Sequence, residues 1–249
     1  MNGRGGLFVG GAPSSTCYLM STMGTCGATC GITRERERDK EAALAAARRA
    51  YPDLVWGDRS AGSDLALCPD AIGELGIAVE RLLPVRAIPR LADGSGCDWL
   101  YLLAGLHRPS LVELFDGMDG VEDGGLPAQE RETYVRVGFS PLGPFVTLQE
   151  VVMTASRRAD GALSLVEEPV LGVEARRLQA IVKGLQGALR KAKLVVLDMA
   201  FLVQEVSSPD QPEFVRRYGG PPTRWSFLFE PIGPMTPRAV CVGPSEARP

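Results

Sequence analysis

A chain of 249 residues with 45% apolar residues is long enough to bury a full core, as one large domain or two small ones, without disulfide or metal staples. Its formal net charge of −3 and pI near 5.4 provide no general basic surface of the kind that nucleic acid or an anionic membrane requires, so neither partner is expected and any basic patch must be local. No apolar run approaches the roughly 18 residues needed to span a bilayer, which predicts a soluble, cytoplasmic protein.

Residues 1–32 are low in charge and rich in Gly, Ser, Thr and Cys. Their short apolar run Leu7-Phe8-Val9 is broken by Gly10-Gly11-Ala12-Pro13, well short of a secretory h-region, and the stretch reads as a disordered leader with Met20 or Met23 as an alternative start. Thr33 to Ala50 reads as a helix, with a mixed-charge block followed by an alanine-rich run that stops before Pro52. Leu54-Val55-Trp56 is a short strand candidate. Pro69-Asp70 opens a second helix in which Ile72, Leu75, Val79 and Leu82 recur at helical spacing until Pro84. Trp99 to Ala104 and Leu111 to Phe115 are apolar enough for strands, with Arg108-Pro109-Ser110 suiting a turn between them.

Between Asp116 and Glu132 the apolar pattern stops and acidic residues and glycines collect, marking a boundary or a long loop. Beyond it Tyr134 to Phe139 alternates, Phe145 to Thr154 is β-rich, and Asp160-Gly161 signals a hairpin into Leu163 to Val166. Val173 to Lys193 is the best-defined helix: Leu178, Ile181, Val182, Leu185, Ala188 and Leu189 follow the i, i+3, i+4, i+7 rule, while Arg176, Arg177, Lys183, Arg190 and Lys191 take other faces. Leu194 to Val206, the alternating Arg224 to Glu230 and Ala239 to Val242 read as strands. The expected fold is therefore α+β. A mostly antiparallel sheet is covered by one long amphipathic helix in a β-β-α-β-β C-terminal half, with a smaller α/β part before it. Residues 1–32 form the leader, and 33–116 and 133–243 form two parts, separate or continuous with one another.

The six cysteines, Cys17, Cys26, Cys30, Cys68, Cys97 and Cys241, are irregularly spaced and fit reduced thiols better than a disulfide framework. Cys26-x-x-x-Cys30 with Cys17 upstream lacks the second close pair of a structural zinc site, so no metal and no cofactor are expected. Cys97 with His107, the single histidine, invites a nucleophile and base. A strand between them would hold the two roughly 30 Å apart, and a turn cysteine with a surface histidine is the plainer reading. A multi-histidine metal centre is excluded, as is any Ser-His-Asp triad that does not use His107. No Gly-x-Ser-x-Gly elbow, Walker loop or dinucleotide fingerprint is present.

The acidic residues Glu113, Asp116, Asp119, Glu122 and Asp123 do not match a calcium loop. They read as a solvated loop or as a surface for a basic protein partner. The cations of the long helix have a structural explanation in its last turn, where Arg190, Lys191 and Lys193 complement the dipole. Two functional readings follow. The first is a non-catalytic protein-binding or regulatory protein of the toxin-neutralising or adaptor type, with the acidic residues as its partner surface. The second is an enzyme assembled from scattered carboxylates and arginines, with Asp98, Glu150, Asp198 and Glu205 in or beside apolar strands, where burial would raise their pKa values.

Overall fold

The computed structural model describes residues 26–51, 54, 69–91, 97–104, 110–116, 129–157, 163–170, 173–230 and 233–242. Helices and a seven-stranded, mostly antiparallel sheet make the chain an α+β protein. The chain divides between Arg36 and Glu37, within helix α1 (Cys26–Ala50), and the fold below is that of the residues that follow. α2 (Pro69–Leu82) leads into β1 (Val85–Arg90) and β2 (Asp98–Ala104), and α3 (Leu111–Asp116) precedes β3 (Gln129–Phe139), β4 (Phe145–Arg157) and β5 (Leu163–Val170). α4 (Arg176–Lys191), β6 (Val195–Val196), α5 (Met199–Leu202), α6 (Gln211–Tyr218), α7 (Arg224–Leu228) and β7 (Arg238–Val242) complete the order.

Strands run β1-β2-β3-β4-β5-β7, every neighbour antiparallel, while the two residues of β6 pair in parallel with Phe145 and Val146 at the start of β4. β2 and β3 lie on either side of the acidic segment in sequence, yet pair from Asp98↔Phe139 to Leu103↔Tyr134. Successive side chains point to opposite faces, and both faces are apolar. One carries Leu100, Leu102, Val135, Val137 and Val146 against Ile72 and Val79 of α2 and Leu178, Ile181, Leu185 and Leu189 of α4. The other carries Trp99, Tyr101, Tyr134, Val151, Met153 and Leu165 in one cluster with alanines of α1 and with Phe201, Leu202, Trp225 and Phe227. Each large apolar side chain so buried contributes about 1.5 to 3 kcal/mol against the entropy of ordering the chain.

Helices thus lie on both faces of the sheet, where the sequence suggested one, and three expected strands are helical. Leu111 to Phe115 becomes α3 because Ser110 and Glu113 form a capping box. Glu113 N–H donates to Ser110 Oγ at 3.3 Å and Ser110 N–H donates to Glu113 Oε2 at 2.9 Å, satisfying two helix-end donors reciprocally. Leu194 to Val206 yields only the two residues of β6 before Asp198 accepts from Phe201 N–H at 2.7 Å and starts α5. Arg224 to Glu230 turns into α7 after Thr223, whose N–H donates to Ser226 Oγ at 3.2 Å. Trp225, Ser226, Phe227 and Leu228 are all buried there, so the aromatic alternation reflects a turn enclosed on every side. The C-terminal order β-β-α-β-β is corrected accordingly. Val85 to Arg90, which carries no clear strand pattern, is the outermost strand β1, a position where Pro89 forfeits no inner ladder bond.

Candidate functional site

The residues with the most concentrated chemistry lie inside the sheet. On the α1-side face the register sets Tyr101 opposite Arg136, Arg136 opposite Gln149, and Glu167 opposite Arg238. Alternation along β2, β3, β4, β5 and β7 therefore aims one polar side chain per strand into the same layer. Arg136 is buried and donates through Nη1 to Glu167 and through Nη2 to Gln149 Oε1 at 2.6 Å, and Gln149 Nε2 donates to the carbonyl of Pro234 at 3.0 Å. The Tyr101 hydroxyl lies 3.3 Å from both Glu167 oxygens. A second pair, Arg238 with Glu230, joins β7 to the segment two residues past α7. Trp99 stands between the two, its ring 3.9 Å from the Arg136 guanidinium carbon and 5.7 Å from that of Arg238. Trp225 stacks on Trp99 with centroids 6.1 Å apart.

The electrostatics follow from this enclosure. Burial, reinforced by the Glu167 charge, pushes the Tyr101 phenol up to about 12. Burial, with the Glu132 carboxylate bonded to its hydroxyl, raises Tyr134 as well. Burial lifts the Glu230 carboxyl above the ordinary carboxylate value, outweighing the opposing pull of Arg238 and Arg136. Burial acting alone would lower the Arg238 guanidinium, but Glu230 and Glu167 raise it overall. Two arginines and two glutamates are thus enclosed in one layer, paired as Arg136 with Glu167 and Arg238 with Glu230. Such a buried network stabilises little by itself, because desolvation offsets most of the Coulomb attraction, but breaking one member is costly.

The residues singled out from sequence occupy other places. Cys97 is buried at the entrance to β2, and burial followed by the Glu230 charge raises its thiol well above the usual value, so it is not a poised thiolate. His107, Cys17 and Cys68 lie outside the described residues. Cys26 and Cys30 fall in the first part of α1. Of the acidic residues, Glu113 pairs with Arg86 and caps α3, Asp116 closes that helix, and Asp119, Glu122 and Asp123 lie outside the described residues. The four carboxylates considered for catalysis are not brought together. Glu150, buried on β4, accepts from the backbone N–H groups of Glu174 and Ala175 at 2.8 and 2.9 Å just ahead of α4. Asp198 caps α5, Glu205 is exposed and bridged to Thr223, and Asp98 is half-buried at the start of β2.

Arg136, Gln149, Glu167, Glu230 and Arg238 carry no motif in the sequence; Arg136 and Glu230 are lone polar residues in apolar stretches, whereas Gln149 and Glu167 stand beside Glu150 and Glu168. Among the described residues no three His, Cys, Asp or Glu side chains converge as metal ligands, and no helix is long and apolar enough to cross a membrane. Comparison of the chain with protein-family models, curated proteins and solved structures found no match.

Proposed function

We propose that this chain is a non-catalytic protein-binding protein of the cytoplasm, of the toxin-neutralising or adaptor type. The observation that carries the reading is how the reactive groups are used. Arg136 is bound to Glu167 and Gln149, Arg238 to Glu230, and Glu132 to Tyr134, while Glu150 holds the backbone just ahead of α4 and Asp198 caps α5. The Cys97 thiol and the two tyrosines are driven away from the range in which they could exchange protons near neutral pH. Polar groups spent this way specify how the sheet packs and leave recognition to the surface.

An enzyme is the second reading, and one feature favours it: Glu230 is a buried carboxyl held above its ordinary range beside two arginines, an environment also found at catalytic acids. Native mass spectrometry of the full chain isolated from its host decides between them. The binding reading expects a stoichiometric protein partner that Glu230→Gln also retains. Failure to find one, together with a turnover that Glu230→Gln abolishes, would overturn it.

A further inference from the structure

The buried network binds itself, and Glu113 is held by Arg86 and Ser110. A run of uncompensated positive charge lies on α4 and just past its end. Arg176, Arg177, Lys183, Arg190, Lys191 and Lys193 are all exposed, and the helix contains no acidic residue. Among the described residues none of these six forms an ion pair or a side-chain hydrogen bond. Glu174, just ahead of the first turn, is the nearest acid in sequence. Helix polarity explains Arg190, Lys191 and Lys193 at the C-terminal end, but Arg176 and Arg177 sit in the first turn, where the dipole opposes them, and Lys183 sits mid-helix. These three weaken or do not assist the helix that carries them.

Their spacing is regular. Arg176, Lys183 and Arg190 recur every seven residues, nearly two full turns, and so align as a stripe with a cation about every 10.5 Å over about 21 Å. The opposite side of the helix is the one buried on the sheet, through Leu178, Ile181, Leu185, Ala188 and Leu189. Ala180 and Gly187 lie between the cations, and a Cβ at Gly187 would meet no atom within 4 Å. The ground between the charges is therefore low and open, as close approach of a second helix requires.

We propose, resting on the protein-binding reading, that the outer face of α4 docks an acidic helix of a partner protein, one that presents Asp or Glu at seven-residue intervals opposite Arg176, Lys183 and Arg190. Charge complementarity selects the sign, and the heptad spacing selects a helix. A nucleic acid fits less well: its phosphates follow one another every 3.4 Å of rise per strand, and the chain as a whole carries −3.

The test uses the full chain and a synthetic three-heptad helical peptide with Glu at every seventh position. An equally charged peptide with its Glu residues clustered and a short DNA duplex are the controls. The heptad peptide binds wild type more tightly than either control, binds at least about tenfold more weakly to Arg176→Glu/Lys183→Glu/Arg190→Glu, and loses affinity as salt rises. Circular dichroism verifies the fold of that variant, and Arg176→Gln/Lys183→Gln serves if reversal disturbs it. Equal binding of the heptad peptide to wild type and variant, no binding to either, or tighter binding of the clustered peptide or the duplex would each overturn the proposal. Capture of the same host partner by wild type and charge-reversed chain would sink the α4 face alone and leave the protein-binding reading standing.

Discussion

Removing the Arg136 guanidinium would strip the buried Glu167 carboxylate of its paired cation, leaving it the Tyr101 hydroxyl and the charge of Arg238, which is itself paired with Glu230. Arg136→Met is therefore expected to lower unfolding stability by about 3 to 5 kcal/mol in urea denaturation. Arg136→Met with Glu167→Leu should recover most of that loss, because no charge is then stranded; a double variant no more stable than the single one would contradict this account. The same residue shows where the sequence was opaque. In Tyr134-Val-Arg-Val-Gly-Phe139 the alternation is plain, and a polar residue between two valines normally points to water. That inference fails when the second face is covered too. Helices on the Trp99 side turn Arg136, Gln149 and Glu167 into core residues, and no pattern within a single strand records what another element will lay over it.

At the scale of elements, α4 was the most legible part of the chain because its apolar residues keep one period over sixteen positions. α3, α5 and α7, of six, four and five residues, are too short to show a period. Only their caps identify them, and Ser110-Leu-Val-Glu113 and Asp198 were readable as caps. Two glycines on α4 make opposite demands. A Cβ at Gly184 would fall 2.4 Å from Leu83 Cδ2, whereas one at Gly187 meets nothing. Gly187→Ala is expected to stabilise the protein by about 0.5 to 1 kcal/mol through helix propensity. Gly184→Ala should forfeit that gain, since Leu83 must move to admit the methyl. Thermal melts of the two variants side by side check the contrast, and an equal gain at both positions would refute the close packing of Leu83 on α4.

For the whole molecule, the buried phenol of Tyr101 ties stability to alkaline pH. Its folded value, about 12, lies above the ordinary 10. The stability it contributes is therefore complete below pH 10 and lost as pH rises to about 12, a decline of about 2 to 3 kcal/mol. Denaturant midpoints measured across that range should fall more steeply for wild type than for Tyr101→Phe, and parallel slopes would show that the phenol is not enclosed. One more property follows from the position of Arg238. It lies on β7, which leaves a ribosome after every other described strand, yet it is the counter-ion of Glu230 and stands over Trp99 of β2. Until β7 arrives, a growing chain holds an unmatched glutamate against its aromatic cluster and an unpaired edge on β5. Assembly of the sheet can begin before β7 is made, but its interior is sealed only by a strand that follows all the other described ones in the chain.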